Sequence, residues 1–178
     1  MGGGVGAGSG GKAGSGAGGS GGFTLTSSVL TDGGMFPDAS TCASKTESSP
    51  DFMWTAGPSG TMSYALILLD TQNSLNHWIV WDIPSTVTSL PGMLDTAAML
   101  SMPAGAKQKP YTGTGYFGPC PQGMDHLYKF TVYALPVSTL AGVTTSSATT
   151  DISKAIMSAN PLASASVSSH SAAKPPAN

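Results

Sequence analysis

Two apolar runs, TMSYALILLD at 61–70 and HWIVWDIP at 77–84, are separated by only six residues, TQNSLN. The first is continuously apolar towards its end, the pattern of a strand covered on both faces. The second carries two tryptophans and is stopped by Pro84. A third run, LYKFTVYALP at 127–136, alternates Leu/Lys, Phe/Thr and Val/Tyr and reads as a strand. Shorter strand signals stand at FTLTSSVL, 23–30, and at DFMWT, 51–55, before the turn AGPSG. Residues 31–50 read as loop. Residues 85–114 form a long irregular stretch with turn signals at PGM, MPAGA and YTGTG, and MLDTAAML at 93–100 suits a short helical turn. A connection of that length is usually functional or wraps the body. The best helix is TTDISKAIMSAN, 149–160. Thr150 or Asp151 can cap it, Ile152, Ala155, Ile156 and Ala159 make one apolar face, and Pro161 limits its continuation. Strands first and one helix late give a β-rich α+β fold, a two-sheet body without internal repeats.

The ends of the chain offer little to bury. Residues 1–22 contain 13 glycines and read as a flexible tether. The tail, 166–178, SVSSHSAAKPPAN, is poor in apolar side chains and reads as flexible. The domain expected between them, 23–165, has an ordinary single-domain size.

Charge is scarce. Nine acidic residues face seven lysines and no arginine, for a net charge of −2. Nucleic acid would need a basic stripe. Phosphate held by arginine forks is excluded, so an anion site must use His, Lys or backbone N–H groups. No apolar run is long enough to span a bilayer; the longest, YALILL, is strand-sized. Met1 followed directly by Gly/Ser repeats suggests a start placed where a secretion signal or lipidated cysteine was removed. The expectation is an exported protein, in the periplasm or at the cell surface, touching a membrane only through such an anchor. The alternative is a cytoplasmic protein with a disordered tail. Cys42 and Cys120 have no metal spacing, and no metal or cofactor is implied. In an exported protein two cysteines often pair; otherwise they are buried free thiols.

Three strand ends carry the chemistry. Asp70 closes one strand, His77 opens the next, and His126 and Tyr128 straddle the start of the third. If the first two strands are neighbours, Asp70 and His77 meet. If the third ends on the same side, His126 and Tyr128 join them, pointing to one face because they are two apart. Two imidazoles and a phenol suit a small anion, and Asp70 can fix a histidine tautomer. In the loop before them, GYFGPCPQGMD, Gly118 lets a backbone N–H approach a ligand, and Pro119 and Pro121 stiffen the approach. Taken singly, each residue has a plainer role: a turn-forming Asp, a satisfied core His, a packing Tyr.

D-x(6)-HW at 70–78, WDIP at 81–84 and GYFGPCPQGMDHLYKFTVYAL at 115–135 resemble the phosphatidylethanolamine-binding protein family, in its bacterial branch related to Raf kinase inhibitor protein. FTLTSSVLTDGG, SSPDFMW, AGPSGTMSYALILLD and LPG extend the resemblance over nearly all of 23–162. It implies a large antiparallel sheet packed on a smaller one, with peripheral helices. It also implies an anion pocket lined by Asp70, His77, Gly118, His126 and Tyr128, with Gln72, Pro119 and Cys120 at its rim. The family's DPDAP motif reads DTQNS here, so Gln72 stands where a second carboxylate is usual, and the H-R-Y element reads His126-Leu127-Tyr128. The resemblance further implies a disulfide or close approach between Cys42 and Cys120 near the rim.

The first functional reading is a binding protein for phosphate, a phosphoryl head group or a carboxylate, with a protein partner whose identity the family does not transfer. The second is an enzyme using the His/Asp/Tyr set in acid–base catalysis, with Cys120 as the only credible nucleophile. The third is a surface structural protein with a vestigial pocket.

Overall fold

The computed structural model describes Met1 and residues 22–177; the expected tether, 1–22, otherwise lies outside the described residues. Among these, the chain order is β1 (Leu25–Thr26), β2 (Gly34–Met35), β3 (Phe52–Trp54), β4 (Ser63–Asp70), β5 (Leu75–Pro84), β6 (Ser89–Leu90), β7 (Lys107–Pro110), β8 (His126–Leu135), α1 (Thr149–Ser158) and β9 (Ala163–Ser171). A six-stranded sheet runs β2-β9-β8-β4-β5-β7 and a three-stranded sheet runs β1-β3-β6. Every pairing is antiparallel except β2 with β9.

β4 is covered on both faces, and its alternation shows how. Tyr64, Leu66 and Leu68 join the larger core, with Phe52, Trp54 and Leu90 of the small sheet. Ala65 and Ile67 point the other way, into a second core with Ile152 and Ile156 of α1. β5 does the same with Trp78 and Val80 on one side and Ile79 and Trp81 on the other. A register shift then interrupts β5, with Asp82 at φ 55°. This bulge returns Ile83 to the larger core. The Asp82 carboxylate accepts from Leu140 N (2.9 Å) and Lys107 Nζ (2.6 Å), tying the bulge to its surroundings. Each large apolar side chain so buried contributes roughly 1.5–3 kcal/mol.

Local chemistry reshapes several sequence expectations. The strand expected over 23–30 shrinks to two residues. Ser27 Oγ accepts from the N–H groups of Val29 and Leu30, and Asp51 accepts from Ser28, so the backbone turns away from the sheet. Residues 93–100 form no helical turn, because Asp95 draws in the N–H groups of Ala97 and Ser101. The helix begins after Ala148 with no side-chain cap, so neither Thr150 nor Asp151 caps it. It is the one α-helix among the described residues, and a 3-10 turn stands at Asp38–Ser40.

The largest correction concerns the tail. Residues 166–171 are not flexible: they belong to β9, which lies inside the large sheet between β8 and β2. Its inward positions are Ala163, Ala165, Val167, Ser169 and Ser171, and all five are buried. The long stretch 85–114 likewise hides β6 and β7. β7 pairs with β5, and its buried Gln108 accepts from Trp78 Nε1 (2.9 Å) while donating to Asp95 O and Ala97 O.

Candidate functional site

β4 is antiparallel to both β5 and β8, so its last residue meets the first residues of the other two. Asp70 is the cross-strand partner of Leu75 on one side and of Tyr128 on the other. Topology therefore brings Asp70, His77, His126 and Tyr128 to one edge of the large sheet. All four are buried.

Asp70 is saturated with donors. Oδ1 accepts from the N–H groups of Gln72 (2.9 Å) and Asn73 (3.1 Å), and Oδ2 accepts from Asn73 Nδ2 (3.1 Å) and His126 Nδ1 (2.8 Å). Burial pushes this carboxyl up, but the hydrogen bonds from His126 and from the Asn73 and Gln72 backbone outweigh it and hold it below the usual range. Asp70 is thus an ionised orienting group. It fixes His126 with the proton on Nδ1, leaving Nε2 uncommitted.

His77 is held by a different acceptor. Its Nδ1 donates to Gly118 O (3.1 Å), its ring stacks on Phe117 at 4.9 Å, and Tyr128 meets it edge-on at 5.3 Å. Burial holds the imidazole below its ordinary pKa, against the pull of the Gly118 carbonyl and of Asp70. Tyr128 is pushed well above the usual phenol range, first by burial and then by the Asp70 charge beside it, so it keeps its proton.

Neither histidine Nε2 has a hydrogen-bond partner among the described residues. Partnerless side-chain nitrogens and oxygens that are sealed from solvent occur there only at Trp54 and Trp81. Two oriented Nε2 atoms on buried rings therefore reach solvent with their hydrogen-bonding capacity unused.

The Gly/Pro loop differs from the sequence expectation in one respect. The Gly118 N–H is not open to a ligand: it donates to Glu47 Oε2 at 2.8 Å. Gly118 is also too tightly enclosed for a side chain, since an added Cβ would collide with Ser40 O. Gln72 is turned outward, its Oε1 accepting from Leu127 N (2.8 Å). Cys42 and Cys120 form a disulfide with Cα atoms 5.3 Å apart. It joins the 37–50 segment to the Gly118 loop and leaves no thiol at Cys120, the one nucleophile that the sequence offers. Among the described residues no group of three or more His, Cys, Asp or Glu side chains could hold a metal ion.

Glu47 and Phe117 escaped sequence reasoning. Glu47 lies in a Ser/Thr-rich loop, 71 positions before the residue it contacts. Only the nearby Cys42, once paired with Cys120, could have signalled that this loop reaches the site.

Comparison with known proteins agrees with this fold. The family model described as Phosphatidylethanolamine-binding protein matches residues 26–171. A UPF0098 protein of Aquifex aeolicus is 36% identical over 121 residues, 64% of this chain and 68% of that protein. LppC of Mycobacterium tuberculosis, a candidate lipoprotein, is 34% identical over 122 residues, 65% of this chain and 56% of LppC. The crystal structure of Escherichia coli YbcL, described as a member of the mammalian PEBP family, superposes with TM-score 0.73 at 27% identity, covering 86% of this chain and 99% of YbcL. No helix among the described residues is long and apolar enough to cross a membrane. With its paired sheets, its three-strand site and a family match running from β1 to the last residue of β9, the chain belongs to the phosphatidylethanolamine-binding protein family.

Proposed function

We propose that this protein binds a small oxygen-rich anion (phosphate, a phosphoryl head group or a carboxylate) at His77, His126 and Tyr128. The observation that carries the reading is the pair of unused Nε2 atoms on rings whose Nδ1 protons are already committed to Asp70 and Gly118. A pair of rings oriented in this way is preorganised, so little ordering opposes binding. The Tyr128 hydroxyl, kept protonated, supplies a further donor. Export is part of the proposal. It is supported by the disulfide, which persists in oxidising compartments, and by the candidate lipoprotein among the relatives.

The direction of pH dependence follows from the tautomers. A neutral Nε2 is an acceptor; a protonated one is a donor with positive charge. An anion stabilises the protonated form, and burial makes His77 hard to protonate without one. Binding therefore strengthens as pH falls. Calorimetry with phosphate and phosphoethanolamine at pH 6 and pH 8 tests this, on the wild type and on His77→Ala/His126→Ala. Tighter binding at pH 6 that disappears in the double variant supports the site. Binding that survives the double substitution, or none at either pH, removes it.

A further inference from the structure

The donors around the two histidines are nearly all spent. His77 Nδ1–H goes to Gly118 O, His126 Nδ1–H to Asp70, and Gly118 N–H to Glu47. The backbone N–H groups of Gln72 and Asn73 and the Asn73 amide also go to Asp70. What remains is one donor, the protonated Tyr128 hydroxyl, and two Nε2 lone pairs, beside the negative charges of Asp70 and Glu47. Among the described residues no lysine forms an ion pair with Asp70 or Glu47. The chain has no arginine, and among the described residues the only lysine ion pairs are Lys107–Asp82 and Lys154–Asp151.

Glu47 stands close to the binding atoms. A single residue, Gly118, joins its N–H to Glu47 and its C=O to His77, so the carboxylate and the imidazole are one residue's breadth apart. The charged and titratable groups around Glu47 are the Tyr116 phenol beside it, exposed Lys45 on its own loop, and, beyond Gly118, His77 on β5, Asp70 on β4, and His126 and Tyr128 on β8. The Tyr116 hydroxyl is itself committed, donating to Ser40 O (3.1 Å).

We infer that Glu47 is a specificity residue: it occupies the backbone donor at the pocket wall and makes the site select oxyanions that arrive with a proton over fully ionised ones. The inference rests on the oxyanion reading above. A protonated phosphate or phosphate monoester can donate its O–H to a neutral Nε2 and meets less repulsion from Glu47 and Asp70. A dianion without a proton finds the Tyr128 hydroxyl as its one donor, against two lone pairs and negative charge.

Phosphate and sulfate separate these cases, because phosphate carries a proton at pH 6–8 and sulfate does not. Calorimetry of both ligands with wild type, Glu47→Gln and Glu47→Ala at pH 7 reads the ratio of their affinities. Glu47→Gln keeps an acceptor for Gly118 N–H and so preserves the loop. The wild type is expected to prefer phosphate over sulfate by about tenfold or more, the scale of one nearby charge. Glu47→Gln is expected to narrow that ratio, and Glu47→Ala, which also frees the N–H, to narrow it further. An unchanged ratio in both variants, with phosphate binding still dependent on the histidines, overturns the role of Glu47 alone. No binding of either anion by any of the three proteins overturns the oxyanion reading, and this inference with it. A parallel titration with phosphoethanolamine distinguishes a head group from free phosphate.

Discussion

β8 and β9 are neighbours paired from His126↔Ser171 to Ala134↔Ala163, and both alternate buried with half-buried residues along their length. Their compositions are opposites. β8 buries His126, Tyr128, Phe130 and Val132; β9 buries Ala163, Ala165, Val167, Ser169 and Ser171. The difference is complementary. Ser169 sits opposite Tyr128 and Ser171 opposite His126, so small side chains leave room where β8 places the site's rings. Alternation alone made β8 legible, because its apolar residues are large. In β9 the same alternation is written in Ala and Ser, which read as solvent-exposed tail.

Several experiments can break or sharpen this contrast. Truncation after Ala165 removes most of β9 and should abolish the cooperative thermal transition, since the backbone donors of both β8 and β2 lose their partner. Truncation after Lys174 should leave the melting temperature unchanged. Equal behaviour of the two truncations would show β9 to be dispensable. Next come the facing residues Phe130 and Val167. Phe130→Ala should cost about 3–5 kcal/mol and Val167→Ala about 1–2, by urea unfolding. Similar losses would contradict the unequal division of the core. Ser171→Leu, which adds bulk opposite His126, should cost about 1–3 kcal/mol and reduce phosphate binding, because the His126–Asp70 geometry must shift. A stable variant with unaltered binding would mean that β9 leaves no needed space.

The smallest effect is electrostatic. The pKa of His77 is lower in the folded than in the unfolded chain, so the unfolded chain binds the extra proton. Without ligand, stability should therefore fall slightly as pH drops from about 6.5 towards the folded pKa of His77. His77→Gln should flatten that part of the profile. Asp70 acts lower: its depressed pKa gives stability that is complete above the ordinary carboxyl pKa and is lost as pH falls through the folded value. Urea midpoints measured from pH 7 to pH 2 on wild type, His77→Gln and Asp70→Asn separate the two groups.

The parts of the fold visible in the chain were those with large side chains or strict local rules. The runs ending at Asp70 and beginning near His77 and His126 were visible as apolar stretches, and the short TQNSLN connection placed the first two strand ends together. The apolar face of α1 was visible through Ile152 and Ile156. From these elements and their motifs the β-rich class, the family and the edge carrying Asp70, His77, His126 and Tyr128 could be read, because hydrophobic periodicity is local and the residues concerned are bulky.

What could not be read depends on partners far away in the chain. β9 is a strand because β8 and β2 offer it hydrogen bonds on both sides. β7, KQKP, is a strand because Gln108 finds Trp78. The state of Gly118 is set by Glu47, 71 residues away. In each case a weakly apolar segment takes its structure from a polar group satisfied at long range. A buried donor or acceptor must find a partner wherever the fold places one, and no pattern within the segment itself records where that partner will be.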